Sequence, residues 1–338
     1  MRTNFETNKN KYEINNLIEI ITKDLSNFQY KTFNLGISFP FGIEDEEKIK
    51  LKKDFHQPFI KELENKLNKE RTPENSDIEI TVDYNYDFIK YYIKPVYIYG
   101  IYNKYSRELP QTIYYCFKCK GRGCPHCNHK GKLADTSVQE IIQKYFIERF
   151  KAKDGKFHGG GREDVNVLML GNGREFVIEL ESPQLRGLSS DELTELEDKV
   201  NKEKDIKIKE LKIVKKEKVE EIKSATHFKL YEAIVETEEE ITEKDLQKIK
   251  LNEIIDIKQK TPTRVKKSRV DKIRDRKADI KKVEFIDKNH FKIHIKAEAG
   301  LYIKEFISGN EERTLPNITL FLGHPCLCEQ LDVIHIYR

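Results

Sequence analysis

Four cysteines fall within twelve residues, and their spacing is that of a metal site. Cys116 and Cys119 form one C-x-x-C, and Cys124 and Cys127 form a second. Each pair can turn two thiolates toward one ion. Four thiolates close a tetrahedral zinc shell with no position left for substrate, which makes such a site structural. Gly121, Gly123 and Gly131 allow the turns that so short a loop needs. The alternative is a reduced, metal-free thiol cluster, or one completed by His126 or His129. A redox pair is disfavoured, because no βαβ pattern surrounds the motif. Cys326 and Cys328 form a C-x-C near the C-terminus and read as small buried hydrophobes.

The second constellation is GGGREDVNV at 159–167. It sets Asp164 on a glycine loop ahead of an apolar strand, a way to hold one carboxylate under a substrate. Taken alone, a loop aspartate is more often a solvated turn residue. Further on, Arg264 to Lys282 carries ten Lys/Arg against three Asp. Such a run can track a phosphate backbone, although by itself a solvated charged helix or loop is the commoner outcome.

The elements that must position these groups follow from periodicity. Helical spacing predicts a helix over 14–25. A helix from Val138 has Ser137 as its cap, with Glu140 completing a capping box. Ser189 starts another, and Thr242 caps one over 243–250. Alternation predicts strands at 33–41, 78–86, 206–214, 227–235, 282–286, 291–297 and 331–337, and from Val165 through Met169 to 176–180. The glycine-rich 155–161 reads as a loop. Hairpin-joined strands broken by helices predict an α+β fold with a mainly antiparallel sheet. The 338 residues suffice for two or three domains. Charged residues reach 36%, yet Ile, Val, Leu, Phe and Tyr recur throughout, so a core is available. The Lys/Glu bias matches a trend of heat-adapted proteins. A polar N-terminus and no run near the ~18 apolar residues of a membrane span predict a soluble, cytoplasmic protein.

The GRED at 161–164 looks like the G-R-x-D signature around the catalytic aspartate of pseudouridine synthases. More broadly, the chain resembles the archaeal and eukaryotic tRNA pseudouridine synthase family whose archaeal members modify uridines 54 and 55 of the T-loop. The matching stretches keep their order over about residues 90 to 338. They are KYSRELPQT (104–112), GRGC (121–124), SVQE (137–140), GRED, MLGNGR (169–174), QKTPTRV (259–265), YIKEFISG (302–309), RTLPN (313–317) and LDV (331–333).

The resemblance implies a pseudouridine synthase with tRNA as partner, needing no cofactor for catalysis and expected to act as a monomer. Asp164 matches the catalytic aspartate and Tyr231, in LYEA, the tyrosine that stacks on the target base. Lys304 matches the basic partner of the aspartate, and Ile303 and Leu331 match apolar pocket residues. Arg162, Arg264 and Arg313 become candidate RNA contacts. Residues 1–115 would form a THUMP-type α/β RNA-binding domain, 116–134 a zinc element and 135–338 the catalytic domain. Tyr91, Tyr92, Tyr97, Tyr99 and Tyr102 lie among Lys90, Lys94 and Lys104, a mixture that suits base stacking or plain strand packing. The chain departs from the family at Asn166, where Asp is usual, at Leu168, where Arg is usual, and at Glu175, where Pro is common. Asn166 favours Asp164 over its neighbour as the nucleophile. The rival reading is a non-catalytic zinc and THUMP-type tRNA-binding protein, which would need none of Asp164, Lys304 and Tyr231. A methyltransferase or thiolation enzyme would need a nucleotide-binding glycine loop, which GNGR does not supply.

Overall fold

The computed structural model describes residues 1–4, 14–39, 41–266 and 269–338. Pro40, inside the strand expected at 33–41, and Lys267, in the basic run, lie outside the described residues.

Two sheets form, each with its own core. The first orders its strands Arg2–Asn4, Phe88–Ile93, Ile78–Asp83, Thr32–Ser38 and Glu70–Arg71. Thr32–Ser38 runs parallel to two neighbours, and the other pairings are antiparallel. Helices Ile14–Leu25 and Gln57–Leu67 supply Leu17, Ile21, Phe59 and Leu63 to a core with Phe33, Leu35, Ile78, Ile80 and Ile89. The unit is α/β. Helix Ile14–Leu25 and strands Thr32–Ser38 and Ile78–Asp83 overlap the expected 14–25, 33–41 and 78–86, whereas helices Asp45–Leu51 and Gln57–Leu67 and strands Arg2–Asn4, Glu70–Arg71 and Phe88–Ile93 have no counterpart in the periodicity.

The second sheet has ten strands. Its centre runs Ile273–Asp287, His290–Ala297, Lys229–Thr237, Cys326–Ile336, Leu168–Glu181, Val96–Lys104. Among the described residues it is antiparallel except where Cys326–Ile336 meets Leu168–Glu181, with Asp332 beside Leu168 and Val333 beside Met169. That parallel seam lies directly behind the loop that carries Asp164. Helix Val138–Phe150 packs on this sheet. Ser137 Oγ accepts from the Glu140 N–H at 3.1 Å and starts it as expected, and Val138, Ile142, Phe146 and Phe150 are its buried face. Helix Ser190–Val200 begins at a full capping box of Ser189 and Glu192.

Three expectations change. The boundary drawn at 115 falls late, because Val96–Lys104 already pairs with Leu168–Glu181 and Ile206–Val214; the change of sheet lies between Ile93 and Val96. Tyr97, Tyr99 and Tyr102 are therefore strand-packing residues of the large sheet, buried, and Tyr99 donates to Glu175 at 2.9 Å. The glycine-rich segment is only partly a loop. Asp154–Gly159 is a strand paired from Asp154 opposite Glu181 to Gly159 opposite Phe176. Ile178, Leu180 and Ile147 crowd around Gly155, so that strand needs no side chain of its own there. Finally, the basic run is neither helix nor free loop. It is a short turn at Thr263–Val265 and then strand Ile273–Asp287, in which outward residues alternate with Ala278 and Ile280 in the core. Several of its cations already meet acids: Lys266 with Asp271, Lys277 with Asp256, and Lys282 with Glu284. Helix Glu217–Ser224, too charged to show a clear face, and the six-residue helix Ile303–Ser308 have no counterpart in the periodicity.

Candidate active site

The loop from Gly160 to Val167 is held from beneath by buried polar groups. Glu163 points inward, and its carboxylate accepts from Arg174 Nε at 2.7 Å and from the Tyr102 hydroxyl at 2.8 Å. Both members of this ion pair are almost wholly buried, and burial next to Glu163 drives the Tyr102 phenol far above its usual range. Arg174 Nη1 also donates to Gly160 O, and Gln111 Nε2 donates to Gly161 O, each at 2.9 Å. Gly161 has φ +98°, and a Cβ there would lie 2.6 Å from Arg174 Nη1, so only glycine fits. On the far side, Lys104 Nζ donates to Val165 O at 2.6 Å and to Leu109 O at 2.9 Å. Arg107 donates to Asn166 O at 2.9 Å and grips both oxygens of Asp332 at 2.7 and 2.8 Å. The bidentate fork ties the loop to the strand that carries Leu331.

With its backbone fixed in this way, the loop turns Asp164 outward. The side chain is 45% exposed, so the carboxylate is not the buried group that a cation would have to rescue. Two cations nevertheless face it: Arg264 Nη1 at 3.1 Å and Lys304 Nζ at 3.5 Å from the same oxygen. Lys304 also donates to Asn166 Oδ1 at 3.0 Å, so the asparagine in place of the family's aspartate gives that ammonium a neutral partner. Arg264 Nε is held by Glu305 Oε1 at 2.6 Å. Lys304 and Glu305 come from one helical turn, and that turn is aimed by buried Gln259, which accepts from the Tyr302 N–H at 2.8 Å and donates to Tyr302 O at 3.1 Å. Arg264, expected to meet RNA, thus lies on the carboxylate itself.

The remaining candidates sit as follows. Tyr231 and Leu331 lie on neighbouring strands, in a register that puts Tyr231, Ala233, Leu331 and Val333 on one face. Burial pushes the Tyr231 phenol up to about 12, and its hydroxyl is within electrostatic reach of Arg174 and Glu163. Ile303 and Leu331 are buried in the main core. Arg162 is exposed, with no ion-pair partner among the described residues. Arg313 is engaged inward, on Thr261 O and Asp271, and braces the 261–271 turn. Lys104, Arg107, Gln111, Glu163 and Arg174 escaped sequence reasoning as site residues. All lie inside the quoted stretches; Lys104 and Arg174 are long polar side chains within apolar strands, a usable signal, whereas Arg107, Gln111 and Glu163 lie in loops and gave none.

The cysteines are brought together as expected. The four Sγ atoms lie within 4.8 Å of one another. The separations are 3.9 Å for Cys116 to Cys124 and 3.8 Å for Cys119 to Cys127 and for Cys124 to Cys127. A zinc tetrahedron with ~2.3 Å bonds has edges of about 3.8 Å, so the cluster fits such an ion. Backbone N–H groups of Gly123 and Gly131 donate to Cys119 Sγ and Cys127 Sγ at 3.2 Å. A Cβ on Gly131 would strike Gly121 O at 2.4 Å and one on Gly123 would strike His129 O at 2.7 Å, which is why both turns need glycine. His126 turns instead to the Phe117 ring, centroids 5.0 Å apart.

Residues 97–337 match the family described as Pus10, C-terminal. The tRNA pseudouridine synthase Pus10 of Methanocaldococcus jannaschii is 39% identical over 337 residues, covering 97% of this chain and 73% of its own. That of Archaeoglobus fulgidus is 36% identical over 331 residues, covering 94% and 90%. Among solved structures, a chain of a Cbf5-Nop10-Gar1 complex overlaps 59% of this chain and 45% of its own, with 18% identity and a TM-score of 0.33, too loose to bear an argument. The enzyme class is therefore that of the tRNA pseudouridine synthases, which are isomerases. Within that class, the chain belongs to the Pus10 family. Among the described residues, no helix is long and apolar enough to cross a membrane.

Proposed function

We propose that the chain isomerises uridine to pseudouridine in the T-loop of tRNA, at position 54, 55 or both, with Asp164 as the nucleophile. The observation that carries this reading is the placement of one solvent-facing carboxylate, on a backbone fixed by buried ion pairs, between Arg264 and Lys304. The target nucleotide must leave its stack before the glycosidic bond can be reached, which costs a few kcal/mol and is offset in the pocket. Tyr231 would stack on the flipped uracil. The carboxylate attacks ribose C1′ or uracil C6, or takes a sugar proton. In each route the C1′–N1 bond breaks, the base turns, and C1′–C5 forms as C5 loses a proton and N1 gains one. No electron or group is exchanged with another molecule, so no cofactor takes part. Ile303 and Leu331 would keep water from the detached sugar. Arg264 and Lys304 balance the charge of the carboxylate and would yield part of their contact to phosphate as RNA enters.

Zinc on Cys116, Cys119, Cys124 and Cys127 would hold the small element's fold and supply no chemistry to the reaction. The α/β unit at the N-terminus would serve as a THUMP-type grip on tRNA, in a monomer that works in the cytoplasm. The test incubates an unmodified tRNA transcript with the wild type and with Asp164→Asn, and maps pseudouridine by carbodiimide-blocked reverse transcription. T-loop pseudouridine from the wild type and none from the variant is expected. A wild type that binds the transcript but isomerises nothing would leave only a tRNA-binding protein.

A further inference from the structure

The cysteine element is a self-contained excursion. Val138 N–H donates to Pro110 O and Gln139 N–H to Gln111 O, both at 3.0 Å, so the chain leaves and re-enters the domain at one clasp. Gln111 is also the residue whose side chain holds Gly161 O, three residues before Asp164. The element is therefore rooted on the catalytic loop. Its buried side chains are those of cysteines alone, in a cluster apart from both main cores. A brace between domains would bury apolar surface against one of those cores. This element does the opposite: Phe117 is 66% exposed, with His126 edge-on to it.

Charge points the same way. From Cys116 to Lys132 there are five Lys/Arg and no acid. Lys130 and Lys132 meet Asp135 and Glu140 outside that span. Lys118, Lys120 and Arg122 have no acidic partner among the described residues. Three cations without an acidic partner, of which Arg122 also donates from Nε to Cys119 O at 3.3 Å, beside an exposed aromatic pair are matched to a polyanion that also offers flat, unpaired bases. A protein partner carrying acidic groups would satisfy the cations and leave the ring pair unexplained.

We propose that this knuckle is an RNA contact, in which Phe117 and His126 stack on an unpaired stretch of the substrate tRNA and Lys118, Lys120 and Arg122 hold its phosphates. The proposal rests on the tRNA substrate but not on which uridine is modified. The test measures tRNA binding by the full chain across a salt series, with the triple variant Lys118→Ala, Lys120→Ala, Arg122→Ala beside the wild type. Zinc content is measured on both, so that loss of the element's fold is seen directly. The variant is expected to keep its zinc, to bind at least about tenfold more weakly, and to lower the slope of log Kd against log salt by about 2. A zinc-loaded variant with the wild-type affinity and slope overturns the proposal. Ultraviolet crosslinking of tRNA to the unaltered chain asks the same question without a variant. Crosslinked peptides containing Phe117 or His126 support the contact, and crosslinks confined to other segments refute it. If T-loop pseudouridine never forms while these binding effects persist, the uridine assignment falls and the knuckle stands.

Discussion

Lys104 shows how one residue can govern the site without touching substrate. It is fully buried and donates to the carbonyls of Leu109 and Val165. Burial pushes its pKa from 10.5 down to about 8, against an upward pull from Glu163. Below about 8 the folded chain carries this ammonium at a cost. Between about 8 and 10.5 the folded chain is neutral there while the unfolded chain still binds the proton, so the contribution to stability rises with pH; conversely, it is lost as pH falls through about 8. The neutral amine keeps two of its three N–H donors, so the long third contact, to Asp164 O at 3.5 Å, is the one lost in the same window. Lys104→Met is therefore expected to fold with a smaller pH dependence of its urea midpoint between pH 8 and 10.5 than the wild type. Lys229, pushed by burial to about the same value, titrates in both chains and cancels in the difference. The variant's kcat at neutral pH should fall by roughly ten- to a hundredfold, because the loop is no longer held to within an ångström. Equal pH slopes in the two chains would show that Lys104 does not titrate there.

At the scale of elements, the loop that carries Asp164 is fixed to its strand by the Glu163–Arg174 pair. Removing one partner of a buried pair leaves the other charge stranded, at a cost of about 3–5 kcal/mol. Glu163→Gln should lower stability by that amount in urea unfolding, and slow isomerisation although Asp164 is untouched. The double variant Glu163→Leu, Arg174→Met should recover much of the stability and little of the activity, since an apolar pair can replace the burial but not the bonds to Gly160 O and Tyr102. Recovery of both would reduce the pair to a packing device. The same loop shows what sequence could and could not convey. Helices with polar caps were legible at Ser137 and Ser189, because a cap is a local signal. The position of Asp164 was legible from its motif. Strand Asp154–Gly159 was not, because its neighbours rather than its own residues supply the apolar cover. Nor was the embrace of Asp164 by Arg264, which sequence left in a basic run; only the fold brings residues a hundred positions apart to 3.1 Å.

At the scale of the molecule, the two sheets were legible as two units but their border was not. Val96–Lys104 reads like the strands before it, and nothing local tells which sheet it will join. The physical junction lies elsewhere, in the segment after Leu168–Glu181. Arg186 Nη1 donates to Lys94 O at 2.6 Å, and Nε faces Asp77 at 3.3 Å, with the side chain only 14% exposed. Gln29 of the first unit completes the clasp, its N–H donating to Gln184 O at 2.7 Å and its side chain accepting from the Arg186 N–H at 2.8 Å. Asp77 in turn caps the N–H groups of Lys31 and Thr32, so one arginine reaches the folded heart of the first unit. If that unit grips tRNA at a distance from the target loop, affinity for the whole tRNA depends on holding the two units in one geometry, because a fixed spacing makes the second contact nearly intramolecular. Arg186→Ala should then weaken kcat/KM for intact tRNA by roughly tenfold and leave an isolated T-arm hairpin unaffected, since the hairpin engages only the catalytic unit. Each unit keeps its own core and should unfold with its midpoint little changed, except that Asp77 is left without its cation. Equal losses on tRNA and hairpin would place the effect of Arg186 inside the catalytic unit and remove the junction from the mechanism.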